Sequence, residues 1–318
     1  MSWTAENALL KRLAPLLSLV LLSAIVGWLS PYFFTVENLF AIGLQMSVVA
    51  IMALGQVLII IAGGIDLSMG SVLGLAGVVA GMMLRADQPF VLALLAAIVV
   101  GLAFGWLNGF LITRGKLPPF IATLGTMGIA RGVALIATNG VPIFGLPPSF
   151  ATLGGGRILQ LIPIPVAITI VIAIIAHFML AHTRLGRHAY AIGGNAEAAR
   201  LAGVPVARVK LILYGLCGVT CGLAGLILAS RLNSGQPTAG NGYELDVIAA
   251  CVIGGASLSG GEGTVAGALI GALIMGVLRN GCNLLDVSAF WQQVAIGAII
   301  IVAVFIDQTR KARNSGLH

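Results

Sequence analysis

The chain has 318 residues, of which 59% are hydrophobic and only 8% are charged. Soluble domains carry about 25% charged residues, so this composition excludes an ordinary soluble domain and predicts an integral membrane protein. The net charge of +7 does not indicate nucleic-acid binding, because the basic residues form short clusters between apolar segments and no single patch.

Apolar segments recur along the whole chain, and a bilayer core takes about 20 apolar residues per helix. The first segment has a basic flank, but its apolar run is long and no small-x-small cleavage site follows, so we expect a retained helix rather than a signal peptide. The sequence predicts an all-α polytopic membrane helix bundle, with residues 1–318 forming one transmembrane domain. The ten predicted spans are 11–30, 42–62, 70–84, 90–112, 118–138, 163–181, 208–230, 244–260, 264–282 and 288–307.

The distribution of Lys and Arg predicts the orientation of these spans. With the N-terminus inside, twelve of the 17 Lys and Arg residues fall inside and five fall outside or near the outer ends of spans. Cytoplasmic loops carry the excess of positive charge. We therefore expect both termini in the cytoplasm, an even number of spans, and a long, apolar, Gly- and Pro-rich external segment at 139–162 that lies on the outer membrane surface.

One short segment occurs twice. Residues 63–70 read GGIDLSMG and residues 254–261 read GGASLSGG, and each segment follows an apolar span. Duplicated halves with interrupted helices are common in transporters, so the pattern favours an internal duplication. A chance likeness between Gly-rich membrane segments is the alternative.

Polar side chains within or near the spans are candidates for a translocation path. A charge at the centre of a membrane helix costs about 2.5–3.5 kcal/mol, so such residues usually face a cavity or a partner. Asp66 could instead cap the helix that begins near Ser68, and Glu244 and Asp246 could lie in the positive field at the start of the eighth span. Uncharged groups suit a neutral, hydroxyl-rich solute, although interhelical hydrogen bonding is at least as good a reading of each one. The predicted path residues are Gln45, Gln56, Asp66, Ser68, Asn108, Thr126, Arg131 and Asn280.

The sequence offers no catalytic motif. The segment nearest to a P-loop, Gly109 to Leu117, has five residues between its glycines where four are needed, and Leu117 replaces the Ser or Thr that would hold magnesium. The cysteines lack CxxC spacing and are expected to be buried small residues rather than metal ligands. We expect a transport subunit without an ATPase site, a metal site or a bound cofactor. The cysteines are Cys217, Cys221, Cys251 and Cys282.

Residues 193–210, GGNAEAARLAGVPVARVK, predict a short cytoplasmic helix near 196–202. Asn195 is a good N-cap, and Gly203 is a good residue just beyond the C-terminus. An isolated helix of two turns is unstable in water, so this one must dock on its own protein, on lipid or on a soluble partner. Its small apolar face consists of Ala198, Leu201 and Ala202, whereas Glu197 and Arg200 can pair along the other side.

Three longer motifs resemble one transporter family. They are IIIAGGIDLSMGSVLGLAGVVAG, GRHAYAIGGNAEAARLAGVPVARVK and SGQPTAGNGYELDVIAACVIGGASLSGGEG, in this order. Together they resemble the ribose/xylose/arabinose class of ABC-transporter permeases, and the likeness runs from about Leu39 to Asp307.

The resemblance implies a multi-pass permease of the bacterial inner membrane that pairs with a second permease subunit, either a copy of itself or a close paralogue. It also implies a cytoplasmic ATPase, which uses the ATP, and a periplasmic or lipid-anchored sugar-binding protein. The loop at about 194–203 matches the coupling loop that docks on the ATPase. The implied coupling residues are Gly194, Asn195, Glu197, Ala198, Arg200, Leu201 and Gly203.

The functional hypothesis is therefore the membrane subunit of an ATP-driven importer for a monosaccharide or a similar polyhydroxylated solute. Three alternatives stay open at this point: an ion-coupled secondary transporter, a passive channel, and an ABC permease for another small solute such as branched-chain amino acids. The scarcity of deeply placed charges counts against ion coupling.

Overall fold

The computed structural model describes the backbone of residues 2–315 and the side chains of residues 14–302, 304, 305 and 309. Within this part of the chain nearly all regular structure is helical. The exception is a small antiparallel hairpin, β1 (Arg157–Ile158) and β2 (Ile162–Pro163), which the all-α prediction did not include. The helices are α1 (Ser2–Leu29), α2 (Val36–Ile61), α3 (Met69–Arg85), α4 (Phe90–Thr113), α5 (Pro119–Thr138), α6 (Ala151–Gly155), α7 (Ile164–His182), α8 (Arg184–Gly194), α9 (Ala196–Leu201), α10 (Val206–Leu232), α11 (Tyr243–Ile253), α12 (Val265–Leu284) and α13 (Ala289–Ser315).

Each predicted span overlaps one helix of the bundle, and an all-α polytopic bundle is confirmed. Among the described residues, six helices (α2, α4, α5, α7, α10 and α12) are long and apolar enough to cross a membrane. Shorter apolar helical stretches lie at Ala14–Leu29, Met69–Arg85 and Ala289–Val302. The prediction for 244–260 was wrong at its C-terminal end, because α11 stops at Ile253 and a Gly-rich loop follows. Ten crossings and the cytoplasmic termini stay predictions.

The centre of the bundle is built from α2 and α10. Both helices are mostly buried, whereas α4, α5 and α7 leave most of their apolar side chains exposed, as expected of helices that face lipid. The backbones of α4 and α10 touch at Gly101 and Gly218, where a side chain on either residue would collide with the backbone of the other. Such close approach is the usual basis of helix association in membranes, where packing rather than hydrophobic burial holds helices together.

The start of α2 and the end of α12 lie at the same end of the bundle. Asn38 and Asn280 exchange hydrogen bonds of 3.0 and 2.7 Å between their side-chain amides, and Val26 of α1 packs over Gly281. The helix ends and connections at this end carry a group of exposed aromatic side chains, a composition typical of a membrane–water interface. These side chains are Trp28, Tyr32, Phe34, Phe290 and Trp291.

The two Gly-rich connections lie at the opposite end of the bundle. The α2–α3 break, residues 62–68, is mostly buried, whereas the α11–α12 break, residues 254–264, alternates between buried and exposed residues. They meet in a backbone hydrogen bond of 2.9 Å from the N–H of Gly261 to the carbonyl of Ile61. The C-terminal end of α8 packs against both breaks, so this end also carries α9.

Candidate functional site

The helix predicted within 193–210 is confirmed as α9, and its end residues have the predicted roles. The side-chain oxygen of Asn195 accepts hydrogen bonds from the backbone N–H groups of Glu197, at 3.1 Å, and Ala198, at 2.9 Å. At the other end, Gly203 has a φ of +84° and its N–H donates to the carbonyl of Arg200, while the N–H of Val204 donates to the carbonyl of Ala199. This pair of bonds is the Schellman arrangement, which satisfies the last carbonyls of a helix.

One residue holds α9 to its own protein. Ala199 is buried at 6% exposure, whereas Ala198, Leu201 and Ala202 all face solvent. Leu201 is 77% exposed, which is unusual for a leucine on a helix that is otherwise held firmly. The apolar face defined from the sequence is therefore exposed and is available to a partner. Gly194, which precedes the N-cap, is exposed as well.

The predicted pairing on the other side of α9 is confirmed. The Nε atom of Arg200 donates to Oε2 of Glu197 at 3.1 Å, and both side chains are about two-thirds exposed. The hydrogen bonds from Arg200, and next its positive charge, hold the pKa of Glu197 below its usual value of 4.5. In this exposed position the pair adds little stability, and its main effect is to fix the polar side of the helix.

Four of the predicted path residues form a single buried hydrogen-bond network. The Oδ1 atom of Asp66 accepts from the backbone N–H of Ser68 at 2.8 Å and from its hydroxyl at 2.6 Å. The amide Nδ2 of Asn108 donates to Oγ of Ser68 at 2.9 Å and to Oδ2 of Asp66 at 3.2 Å, and the hydroxyl of Thr126 donates to Oδ1 of Asn108 at 2.6 Å. All four side chains are at most 2% exposed.

The network joins the α2–α3 break to α4 and α5. The phenol of Tyr214, on α10, adds a further link because it donates to the carbonyl of Ile65 at 3.0 Å. All four side chains of the network are enclosed in the described structure. Asp66 is not itself the N-cap of α3, as one alternative had it. Ser68 occupies the N-cap position, and Asp66 holds it from two residues earlier.

The other predicted path residues lie apart from this network. Gln45 is half-buried on α2. Gln56 is fully buried on α2, and neither atom of its side-chain amide has a hydrogen-bond partner among the described residues. Arg131, on α5, donates to the carbonyls of Pro237 and Ala239 and so holds the α10–α11 loop. Asn280 pairs with Asn38 at the aromatic end, as described above.

The acidic residues at the start of α11 lie in its first turn, as predicted from the eighth span. Asp246 makes an ion pair of 2.6 Å with Arg279 of α12 and is 2% exposed, so this pair ties the two helices together. Cys217, Cys221 and Cys251 are buried free thiols, and Cys282 is partly buried. Among the described residues no cluster of His, Cys, Asp and Glu could hold a metal ion.

Sequence reasoning missed the residues that attach α9 to the bundle. Ala199 makes the contact that we had expected of its neighbours. Gly193 and Tyr190, which belong to α8, contact the two Gly-rich breaks. The adjacent glycines at 193 and 194 were the available signal, since a glycine within a helix often marks a close backbone approach.

Comparison with known proteins gives one family and several close relatives. Residues 38–304 match the family described as "Branched-chain amino acid transport system / permease component". The Ribose import permease protein RbsC of Escherichia coli (strain K12) is 48% identical over 300 residues, which is 93% of each chain. RbsC of Bacillus subtilis (strain 168) is 47% identical over 310 residues, covering 96% of this chain and 95% of the relative.

A more distant relative is the D-allose transport system permease protein AlsC of Escherichia coli (strain K12). It is 39% identical over 292 residues, covering 91% of this chain and 89% of the relative. No solved structure gives a significant match.

Proposed function

This chain belongs to the permease family of ABC importers, in the class of the ribose and allose permeases, and from that premise we propose that it forms the translocation path for a monosaccharide or a similar polyhydroxylated solute. It is a membrane-spanning permease subunit, and we place it in the bacterial inner membrane. In this proposal the chain binds no cofactor or metal, has no ATPase site, and relies on a partner that binds and hydrolyses ATP.

The observation that carries the coupling to an ATPase is the exposed apolar face of α9. A rigid, capped helix that presents Leu201 and Ala198 to solvent has the form of a helix that inserts into a groove on a second protein. The residues implied for coupling all lie in or directly beside this helix, from Gly194 to Gly203. Their cytoplasmic location is supported by Arg184, Arg187 and the other basic residues nearby, since positive charge concentrates on that side.

The aromatic side chains at the other end of the bundle are typical of a membrane–water interface. If the Gly-rich breaks and α9 face the cytoplasm, the aromatic group lies at the outer interface and residues 139–162 are external, whereas residues 234–240 pack inward against α3 and Arg131 of α5. We propose that a periplasmic or lipid-anchored binding protein docks on the external segment 139–162. We also propose ten crossings, both termini in the cytoplasm, and pairing with a second permease subunit.

The mechanism follows from these placements. The loaded binding protein docks outside, and ATP binding and hydrolysis in the partner move α9. That motion rocks the helices so that the path opens to each side in turn. The buried network around Asp66 would open in one of these states, which would expose Asn108 and Thr126 to the solute.

The test of coupling uses two exposed leucines on opposite sides of the membrane. We expect Leu201→Asp to insert normally but to weaken ATPase association at least about 30-fold, because loss of a central apolar contact costs about 2 kcal/mol or more. Association is measured by co-purification from detergent and by titration with the purified ATPase.

Leu159→Asp is the matched control for that experiment. Leu159 is 85% exposed in the β1–β2 turn and has a φ of +51°, which Asp tolerates well. It should leave ATPase association unchanged. Full ATPase association by Leu201→Asp would refute the proposed coupling.

A branched-chain amino acid is the second candidate substrate, because the matching family model carries that description. The relatives that match at 39–48% identity are sugar permeases, and they favour a sugar. Uptake by the reconstituted importer of labelled ribose, allose and leucine, each with its own binding protein, separates the two. Leucine uptake without sugar uptake would overturn the sugar assignment.

A further inference from the structure

The C-terminal end of α8 is held in a junction of three backbone segments. Gly193 lies against the carbonyl of Ile61, at the end of α2, and against the N–H of Gly261, in the α11–α12 break. These two groups are themselves hydrogen-bonded at 2.9 Å. One residue of α8 therefore touches both Gly-rich breaks at the point where they touch each other.

The junction leaves no room for side chains. A Cβ atom on Gly193 would collide with the carbonyl of Ile61 and the N–H of Gly261. A Cβ atom on Gly260 would lie 2.9 Å from Cα and O of Gly193 and 2.9 Å from Cα of Gly63, closer than real Cβ contacts. Gly260 also has a φ of +86°, which disfavours any L side chain. The contact is therefore made by backbone against backbone.

A tyrosine on α8 adds a second connection to the α11–α12 break. The hydroxyl of Tyr190 donates to the carbonyl of Gly263 at 2.8 Å. Ala189 and Ile192 bury the neighbouring face of α8, so the helix is held along its length. The hydrogen bond from the N–H of Asn195 to the carbonyl of Ala191, 3.1 Å, continues this rigid path to the N-cap of α9.

We propose that Gly193, Gly260 and Tyr190 are positioning residues that transmit a displacement of α9 to both Gly-rich breaks at once, and so to α2, α3, α11 and α12 together. Side-chain contacts can absorb a small displacement by changing rotamers, whereas close-packed backbone segments move as a unit. The inference rests on the proposed function of α9, and it adds the route by which motion enters the bundle.

The test is the ratio of solute taken up to ATP hydrolysed, measured on the full importer in proteoliposomes with its ATPase and binding protein. Gly193→Ala should retain ATPase association and ATP hydrolysis while uptake per ATP falls about 10-fold, a change typical of lost coupling between sites. Tyr190→Phe leaves every backbone contact in place and should lower the same ratio about 3-fold through loss of one hydrogen bond. A purely structural role would lower the amount of folded protein without changing the ratio.

The matched control is Gly297→Ala in α13, where a Cβ atom meets no other atom within 4 Å. Gly297→Ala should take up as much solute per ATP hydrolysed as the unsubstituted importer does. The proposal is overturned if inserted Gly193→Ala keeps that ratio or, should this variant fail to insert, if Tyr190→Phe keeps it. Failure of the α9 docking proposal is a separate result, since it shows as full ATPase association by Leu201→Asp.

Discussion

The two Gly-rich breaks begin with the same local turn and are then held in different ways. In the first break the side chain of Asp66 accepts the N–H of Ser68 at 2.8 Å, and in the second the hydroxyl of Ser257 accepts the N–H of Ser259 at 3.4 Å. Ser257 occupies the position that corresponds to Asp66 in the repeated motif. The shared turn is what the sequence likeness encodes, since Asp and Ser both form such bonds two residues along the chain.

Beyond that turn the first break is fixed into the bundle. The carboxylate of Asp66 reaches Asn108 and, through it, Thr126, so the break is tied to α4 and α5 by enclosed hydrogen bonds. Tyr214 ties the same break to α10. Helix α3 then begins at once, at Met69.

The second break continues as a longer loop before α12 begins at Val265. Its glycines at 255, 260, 261 and 263 all have positive φ, and its tyrosine partner is Tyr190 of α8 rather than a residue of a central helix. The same repeated motif therefore anchors the α2–α3 break to the central helices, whereas in the α11–α12 break it contacts the surface helix α8. Each of the following predictions tests that contrast.

The largest effect is expected at the first break. Asp66→Ala leaves the buried donors of Ser68 and Asn108 without their acceptor and should lower the free energy of unfolding by about 3–5 kcal/mol. Ser257→Ala, the matched change in the second break, should cost about 1 kcal/mol. Unfolding curves in mixed micelles measure both values. Equal losses would mean that the first break is not the anchor.

A smaller effect separates two glycines of the second break. Gly260→Ala should lower the free energy of unfolding by about 2–3 kcal/mol, because the added methyl group meets the backbones of Gly193 and Gly63 as well as an unfavourable φ. Gly255 has a φ of +89°, but a Cβ atom there would meet no neighbour within 4 Å. Gly255→Ala should therefore cost only about 1 kcal/mol, from the unfavourable backbone conformation. The same unfolding assay compares them, and a larger loss for Gly255→Ala would contradict the crowded junction.

The two tyrosines give a finer comparison of how each break is held. Tyr214 is 2% exposed and Tyr190 is half-buried. Tyr214→Phe leaves the carbonyl of Ile65 enclosed without its donor and should cost about 1 kcal/mol, against about 0.5 kcal/mol for Tyr190→Phe. Thermal unfolding midpoints of both variants measure the difference. A larger loss of stability for Tyr190→Phe would mean that the second break is held more tightly than the first.

The smallest effect concerns pH and α9, which follows the helix that contacts both breaks. The hydrogen bonds and charge of Arg200 lower the pKa of Glu197 in the folded chain. The contribution of the Glu197–Arg200 ion pair to the stability of α9 is therefore complete above pH 4.5 and is lost as the pH falls through the lowered pKa of Glu197. The protection of the α9 amides against hydrogen exchange, relative to the intrinsic exchange rate at each pH, should fall slightly in that acid range and stay constant between pH 6 and 8.

Glu197→Gln is the control for this pH dependence. It should remove the acid-range change while keeping the helix, because Asn195 and the turn at Gly203 still hold both ends. A pH dependence that survives in Glu197→Gln would have to come from another group.

Local signals in the sequence predicted much of the fold. Apolar length located the helices, and the cap residues Asn195 and Gly203 defined α9 to within one residue, because caps act on neighbouring backbone groups. The end of α11 was missed, since residues 254–260 are uncharged and mostly small and so read as a continued span. Hydropathy registers burial but does not register where helical hydrogen bonds stop.

The candidate site was predicted by residue type but not by partnership. Asp66, Ser68, Asn108 and Thr126 were selected as polar residues in apolar surroundings. The bonds that Asn108 makes to the first break and to Thr126 depend on how α4 and α5 pack. The contact made by Ala199 depends likewise on the position of the neighbouring helices. Such pairings join residues far apart in the chain, so no local pattern specifies them.

The caps of α9 have a consequence for how association proceeds. Because Asn195 and the turn at Gly203 keep this segment helical before any partner arrives, binding does not have to order a flexible loop. Ordering a disordered segment on binding uses about 2–5 kcal/mol of the gross interaction energy. A preorganised contact surface avoids that loss, so even a small interface can be formed and released repeatedly without refolding.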